Sequence, residues 1–171
     1  MANERIASAV KAAGQHLRAH PEDGPCTDSF ARAVLDAGLR MRIEGPTGQT
    51  AQTDMPASIG GEASAPSPGW LLRAGVASCT ATVIAMRAAA LGIALDRLEV
   101  NVVSRSDDRG MLGIDDSVPA GFLSARMEVR LAAADIDPGK LEALASWGIA
   151  HSSMADALRR AVPMETEIAV G

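Results

Sequence analysis

The sequence predicts an α+β fold in which an antiparallel sheet packs against one face of a long apolar helix. Short segments that alternate apolar and polar residues are separated by turns containing Gly or Pro, as is typical of strands joined in hairpins. Between two groups of such segments, residues 69–91 are almost uninterruptedly apolar and end at Gly92, a common helix stop. Hairpin connections favour this class over a doubly wound α/β sheet.

The first 27 residues are predicted to form a helix and a loop outside the main domain, which spans 28–171. Residues 1–19 have a helical composition that ends before Pro21. Their apolar side chains recur along one stripe of a helix: Ile6, Val10, Ala13 and Leu17. We expect this helix to serve in packing or dimer contact.

Three strands are predicted next, over residues 30–35, 39–43 and 49–53. The second alternates apolar and basic residues with a period of two, as in a half-buried strand. Turn-forming residues separate the strands, at 36–38 and at 45–48.

A Gly- and Pro-rich loop over residues 55–68 leads into the long helix. Ser67 is a good cap, and Pro68 suits the first helical position. A helix that is apolar nearly all round must be covered on most sides, by a wrapped sheet or by a second subunit. Arg73 and Arg87 lie within the apolar segment, and a charge at bilayer depth is costly, so we predict a core helix and no membrane span.

The second half is predicted to contain strands at 95–106 and 122–132, joined by a polar loop. Both alternate apolar and polar side chains. Helices are expected at 139–150 and 154–162, and a closing strand at 163–170. The closing strand rests on the alternation of four residues: Met164, Thr166, Ile168 and Val170.

The composition argues against several classes of protein. The net charge is −5 and only 2% of the residues are aromatic, so a nucleic-acid partner is not expected. The 2 cysteines are too few for a disulfide-built secreted scaffold, and no Cys/His cluster has metal spacing. We therefore predict a cytoplasmic protein without a metal site or cofactor.

Cys79 is the residue on which the predicted chemistry depends. A cysteine inside an apolar helix is either a small buried hydrophobe or a nucleophile. Because burial raises the pKa of a thiol, a reactive Cys79 requires a nearby cation or hydrogen-bond donors.

The element order and an ordered set of residues resemble the OsmC/Ohr superfamily of osmotically induced and organic-hydroperoxide-resistance proteins. The resemblance covers roughly residues 28–170. The residues that carry it are Asp54-Met55-Pro56, Gly60-Gly61, Pro66-Ser67-Pro68, Leu71-Leu72, Cys79-Thr80, Leu98-Glu99-Val100, Asp108-Arg109-Gly110 and residues 158–163.

The resemblance implies an intertwined homodimer in which each subunit's sheet wraps two central helices. It also implies peroxidase chemistry at the dimer interface. A thiolate on the central helix, here Cys79, attacks a hydroperoxide. A second cysteine near the C-terminal helix then closes a disulfide, which a reductant resets.

The residues that activate the thiolate in the family are an Arg and a Glu. The position of that Glu is occupied here by Gly69, and Glu62 in the same loop is a candidate substitute. The Arg lies in the first hairpin of the family, where Arg40 and Arg42 are candidates and Arg40 fits the register better. The alternative for both arginines is a place on a solvated strand face.

The resolving cysteine of the family corresponds to Ser152, which cannot form a disulfide but can begin a helix. Cys26 is a possible alternative resolver if its Cα lies within about 7 Å of that of Cys79. Otherwise an external thiol must attack the oxidised Cys79.

Two functions are therefore expected. The first is thiol-dependent reduction of organic or hydrogen peroxides through Cys79, with Arg40 as electrostatic support and an external thiol as reductant. The second is a non-enzymatic OsmC-like module that binds a small apolar ligand at the dimer interface. The intact residues around Cys79 favour the first, and the missing Glu and second cysteine favour the second.

Overall fold

The computed structural model of the chain describes residues 2–160 and 162–171, and it has the predicted α+β fold. The helices are α1 (Ala2–Ala19), α2 (Pro68–Ala90), α3 (Asp108–Met111), α4 (Pro138–His151) and α5 (Ser153–Arg159). The strands are β1 (Arg32–Ala37), β2 (Arg40–Glu44), β3 (Thr50–Thr53), β4 (Arg97–Arg105) and β5 (Ser124–Ala132). Short 3-10 turns occur at Pro21–Asp23 and Ala57–Ile59.

The strands form two antiparallel sheets and not a single one. The first has the order β1-β2-β3, and the second pairs β4 with β5. In the first hairpin the turn lies at Gly38 and Leu39, because β1 continues through Asp36 to Ala37, two residues beyond its predicted end. Gly38 has a φ of 56°, a conformation that glycine adopts without strain.

The chain divides into two compact units: Ser8–Gly75, and Met1–Ala7 with Val76–Gly171. The first contains the three-stranded sheet, the loop after β3 and the start of α2. The second contains most of α2, the β4-β5 hairpin and the last two helices. The division expected from the sequence, between an N-terminal helix and loop over residues 1–27 and a main domain over 28–171, stays a prediction.

The second unit holds a core in which α2 packs against α4 and the β4-β5 hairpin. Its buried members are Ile84, Ala88, Ile93 and Leu144. The inward faces of β4 and β5 contribute Leu98, Val100, Val129 and Leu131, as their alternation predicts. This packing fixes α4 and α5 relative to α2.

Helix α2 begins and ends within one residue of its predicted bounds. Its buried residues, Val76, Thr80, Ile84, Ala88 and Ala89, lie along one stripe. Among the described residues it is the one helix that is long and apolar enough to cross a membrane by length and composition, a test that core helices of soluble proteins also pass. Three large apolar side chains of this helix, Trp70, Leu72 and Met86, are exposed in the single chain.

The predicted closing strand at 163–170 is wrong for the single chain. These residues have no regular secondary structure, and Met164, Ile168 and Val170 are between 82% and 92% exposed. An isolated alternating segment gains nothing from its apolar face unless it pairs with a sheet. Of the predicted last helix, residues 160 and 162 lie beyond the end of α5, and residue 161 lies outside the described part.

Candidate functional site

Cys79 lies on α2, where its half-buried side chain faces the start of α5. Its Sγ is 3.4 Å from Ser153 Oγ, and both cysteines of the chain carry free thiols. Ser152, directly before α5, is fully buried and is the N-cap of that helix, with its hydroxyl accepting from Ala155 N at 3.4 Å. The serine at the resolving-cysteine position therefore begins the last helix, as the sequence predicts.

A chain of hydroxyl groups leads from α2 to the sulfur. The Thr80 hydroxyl is completely buried and has two acceptors within reach, Val76 O at 2.8 Å and Ser152 Oγ at 3.0 Å. A hydroxyl has one proton to donate, and a carbonyl oxygen can only accept. In the arrangement in which Thr80 donates to Ser152 and not to Val76, the proton of Ser152 is left for the Cys79 sulfur.

These groups lower the pKa of the Cys79 thiol. Burial raises that pKa, but the backbone N–H of Met154, the hydroxyls of Ser152 and Ser153 and the backbone N–H of Ser153 together outweigh burial. Hydrogen bonds to the charged form are one of the three general causes of a shifted pKa. A lower pKa increases the fraction of thiolate, which is the nucleophilic form.

The start of α5 is held at the sulfur by a close contact between α4 and α2. An ideal Cβ on Gly148 would lie 2.2 Å from Ile84 Cγ1, so only glycine allows the two helices to approach this closely. One turn away, the Arg87 guanidinium lies 4.7 Å from the ring centre of Trp147, a cation–π distance. His151 stacks on the same indole with ring centres 4.0 Å apart.

Arg40 and Glu62, the predicted electrostatic pair, approach each other in the unit Ser8–Gly75, at 3.8 Å between Nη1 and Oε2. The shorter partner of Arg40 is Asp36, at 2.8 Å from Nε, and Asp36 is the main cause of the raised pKa of Arg40. The side chain of Glu62 is 80% exposed to solvent. Arg42, the other candidate, pairs with Glu44 instead. The role of Arg40 at Cys79 stays a prediction.

Asp54 organises the Gly-rich loop that precedes α2. The residue is 2% exposed, and its carboxylate accepts from the Ser64 hydroxyl and from three backbone N–H groups, those of Met55, Glu62 and Ser64. Hydrogen bonds from Ser64 are the largest cause of lowering its pKa from 3.8 to about 2. Gly61 is required here, because a Cβ would lie 1.9 Å from Met55 O. The resemblance residues Asp54 and Gly61 thus shape a loop.

A cavity of about 420 Å³ opens beside this loop and the first turns of α2. Its walls belong to the unit Ser8–Gly75: Asp54, Met55, Pro56, Ala63, Ala65, Pro66, Ser67, Trp70 and Arg73. Ser67 caps α2, with its Oγ accepting from Trp70 N at 3.2 Å. That cap fixes how the first turn of the helix faces the cavity.

Sequence reasoning missed several groups of the site. Ser153 and the N–H of Met154 reach the sulfur only because α5 begins beside α2. This is a tertiary contact, which a local sequence pattern does not predict. The sequence predicts Asp36 in a turn, and in the structure it lies at the end of β1 and pairs with Arg40, four residues later. Gly148 interrupts an apolar helix and was therefore the visible signal of a close helix contact.

Comparison with known proteins gives a family and a set of similar folds. The family described as OsmC-like protein matches residues 61–167, well over half of the chain. No curated protein matches the sequence.

Three solved structures illustrate the similarity. An OsmC-like protein from Mycoplasma pneumoniae superposes with a TM-score of 0.65 at 15% identity, covering 79% of this chain and 89% of that one. The organic hydroperoxide resistance protein OsmC from Legionella pneumophila superposes with a TM-score of 0.58 at 20% identity, covering 79% of this chain and 91% of that one. A Vibrio cholerae protein named for organic hydroperoxide resistance, with captopril in one of its active sites, superposes with a TM-score of 0.51 at 20% identity. The match covers 78% of this chain and 87% of that one. At these identities the likeness shows a shared fold.

Proposed function

The chain belongs to the OsmC-like protein family, and from that premise we propose that it reduces organic or hydrogen peroxides through Cys79. The observation that carries the proposal is the hydrogen-bonded setting of the sulfur, which lowers the pKa of Cys79 in spite of burial. Solved relatives are named for hydroperoxide resistance, which agrees with this chemistry.

The first step is attack of the Cys79 thiolate on the distal oxygen of a hydroperoxide. The S–O bond forms as the O–O bond breaks, the sulfur is oxidised to a sulfenic acid, and the leaving alkoxide takes a proton to become an alcohol. The hydroxyls of Ser152 and Ser153 hold the thiolate before attack.

The return to the thiol needs an external thiol, because the residue at the resolving position is Ser152. One external thiol attacks the sulfenic sulfur and releases water, leaving a mixed disulfide. A second attacks that disulfide by thiol exchange, which frees Cys79 and yields the oxidised reductant. The two electrons that reduce the peroxide thus come from two external thiols. The return step consumes free thiols, which a reducing compartment supplies, and we propose that the protein acts in the cytoplasm.

We propose that Arg40, held by Asp36 and Glu62, gives electrostatic support to the thiolate. A guanidinium keeps its charge at all physiological pH values, so its support does not depend on pH. Arg40 is about one-third exposed, which leaves it able to approach a charged group.

The active form is proposed to be a homodimer. One chain leaves large apolar side chains of α2 exposed, and extended exposed apolar surfaces mark interaction sites. The exposed members are Trp70, Leu72, Met86 and Leu91 on or next to α2. Light scattering at micromolar concentration is expected to give twice the chain mass, and a monomer would remove this part of the proposal.

The test of the enzyme proposal is consumption of cumene hydroperoxide with dithiothreitol. We expect turnover by the unaltered chain and by Cys26→Ser, and none by Cys79→Ser. In the absence of reductant, one equivalent of peroxide should remove one titratable thiol from Cys26→Ser. Failure of both readouts would show that the enzyme proposal is wrong.

A second candidate is a non-enzymatic module that binds a small apolar ligand. The observations in its favour are the serine at the resolving position and the cavity of about 420 Å³ lined mainly by apolar side chains. Binding without peroxide consumption in the same preparation would support this function over the first.

A further inference from the structure

Thr80 and Ser152 form a buried polar pair where α2 meets the start of α5. Both residues are completely buried, and their Oγ atoms lie 3.0 Å apart. Thr80 is the polar member of the buried stripe of α2, whose other residues are Val76, Ile84, Ala88 and Ala89. Burying a hydroxyl costs free energy unless it is hydrogen-bonded. The peroxidase proposal places the Ser152 hydroxyl at the sulfur but gives the Thr80 hydroxyl no task.

The proton of the Thr80 hydroxyl has two acceptors within reach. In helices, a threonine hydroxyl can donate to the carbonyl oxygen four residues earlier, here Val76 O at 2.8 Å. The other acceptor is Ser152 Oγ at 3.0 Å. Within an α-helix, the carbonyl of residue 76 accepts from the backbone N–H of residue 80. Val76 O therefore keeps a hydrogen bond when the Thr80 hydroxyl donates to Ser152.

The charge of the sulfur decides between these two acceptors. The Ser152 hydroxyl is one of the groups that hydrogen-bond the Cys79 sulfur. A thiolate can only accept, and hydrogen bonds to an ionised group are about twice as strong as those between neutral groups. The ionised sulfur therefore attracts the proton of Ser152, and the oxygen of that hydroxyl is left to accept from Thr80 and from Ala155 N. Protonation of the sulfur removes this preference and allows Thr80 to donate to Val76.

We propose that Thr80 is a positioning residue for Cys79: its hydroxyl donates to Ser152 when the sulfur is ionised and so directs the Ser152 proton onto the thiolate. Thr80 acts through Ser152 and is assigned no contact with the peroxide. Hydrogen bonds linked in a chain polarise and strengthen one another, so the pair stabilises the thiolate more than Ser152 alone. The inference deepens the proposed function and rests on it for the use of that thiolate against a peroxide.

The test is the pH profile of Cys79 alkylation by iodoacetamide, measured on the full chain carrying Cys26→Ser. Thr80→Val keeps the branched shape and removes the hydroxyl. We expect its profile to move to higher pH and its alkylation near neutral pH to slow by roughly two- to threefold. Thr80→Ser keeps the hydroxyl and should retain the profile. The matched control, Thr82→Val, removes an exposed hydroxyl from the same helix and should leave the profile unchanged.

A second background, Ser152→Ala, provides a readout that a packing role of Thr80 would not move. Because Thr80 acts through Ser152, Thr80→Val should slow alkylation when Ser152 is present and have no further effect in Ser152→Ala. Equal slowing in the two backgrounds would show a packing effect and overturn the inference. An unchanged profile in Thr80→Val would also overturn it. So would a profile moved to lower pH, because Thr80 would then be competing with the sulfur for the Ser152 proton.

Consumption of cumene hydroperoxide by the same variants reports separately on the proposed function. Alkylation requires the thiolate but no peroxide, so the profiles test the inference even in a chain that consumes no peroxide. Conversely, turnover that depends on Cys79, together with an unchanged profile in Thr80→Val, would overturn the inference and leave the peroxidase proposal intact.

Discussion

Replacing Gly148 with alanine tests whether the contact between α4 and α2 positions the groups around Cys79. The added Cβ would lie 2.2 Å from Ile84 Cγ1 and 3.3 Å from Ile84 Cα, whereas carbon atoms prefer about 3.5–4.0 Å. Ile84 is completely buried, so any shift of its side chain must displace other atoms of the core. Overpacking of this kind costs about 1–3 kcal/mol in free energy of unfolding.

Gly14→Ala is the matched control. It also replaces a glycine in a helix, in α1, but its Cβ would meet nothing closer than the Arg18 side chain at 3.6 Å. Both variants gain about 0.5–1 kcal/mol from the better helix propensity of alanine. The difference between their unfolding free energies therefore isolates the overpacking at Gly148. For a chain of this size each kcal/mol corresponds to about 2–4 °C in Tm.

The assays are urea denaturation and alkylation of Cys79 by iodoacetamide near neutral pH. Gly148→Ala should be about 1–3 kcal/mol less stable than Gly14→Ala. Because the start of α5 is displaced, its Cys79 should also be alkylated more slowly. Adding Ile84→Ala removes Cγ1, so the double variant should lose less stability than the sum of the two single variants. The reasoning is refuted if Gly148→Ala matches Gly14→Ala in both stability and alkylation rate.

Three further predictions concern the serines around the sulfur and the loop carboxylate. Ser153→Ala removes the hydroxyl 3.4 Å from Cys79 Sγ, so the Cys79 pKa should rise and its alkylation near neutral pH should slow; an unchanged rate would contradict this. In a Cys26→Ser background, Ser152→Cys should form an internal disulfide when it is treated with one equivalent of peroxide. Mass spectrometry should then show a loss of two hydrogens, and free thiols that persist would contradict this prediction. Asp54 has a pKa lowered from 3.8 to about 2, so its contribution to stability is present above pH 3.8 and disappears as the pH falls through 2. Hydrogen exchange of the loop amides should accelerate over that range, and Asp54→Asn should remove most of this pH dependence.

Much of the fold could be predicted because local patterns and tertiary structure agree. The alternation of residues 39–43 corresponds to β2, and Ser67 with Pro68 marks the start of α2. The segment 163–170 shows the limit of that agreement. Its alternation is as clear as that of β2, yet a strand also needs a neighbour for its hydrogen bonds, and no pattern within the segment specifies one.

The candidate site was less predictable, because its geometry comes from the packing of helices. The resemblance identifies Cys79 and Ser152 as the two key positions, and in the structure Ser152, which is hydrogen-bonded to Thr80, is one of the groups that lower the pKa of Cys79. The donors Ser153 and the Met154 N–H depend on where α5 begins relative to α2, which the contact at Gly148 fixes. Such long-range contacts leave no periodic signal in the sequence.

The central claim is that hydrogen bonds at the start of α5 keep Cys79 more acidic than an ordinary thiol. Its most direct test is the pH dependence of Cys79 alkylation in Cys26→Ser, followed from pH 5 to 11 under conditions where the chain stays folded. The account predicts a pKa below that of a cysteine in an unstructured reference peptide, and a rise of this pKa in Ser153→Ala. A pKa at or above that value, unaffected by the serine, would contradict it.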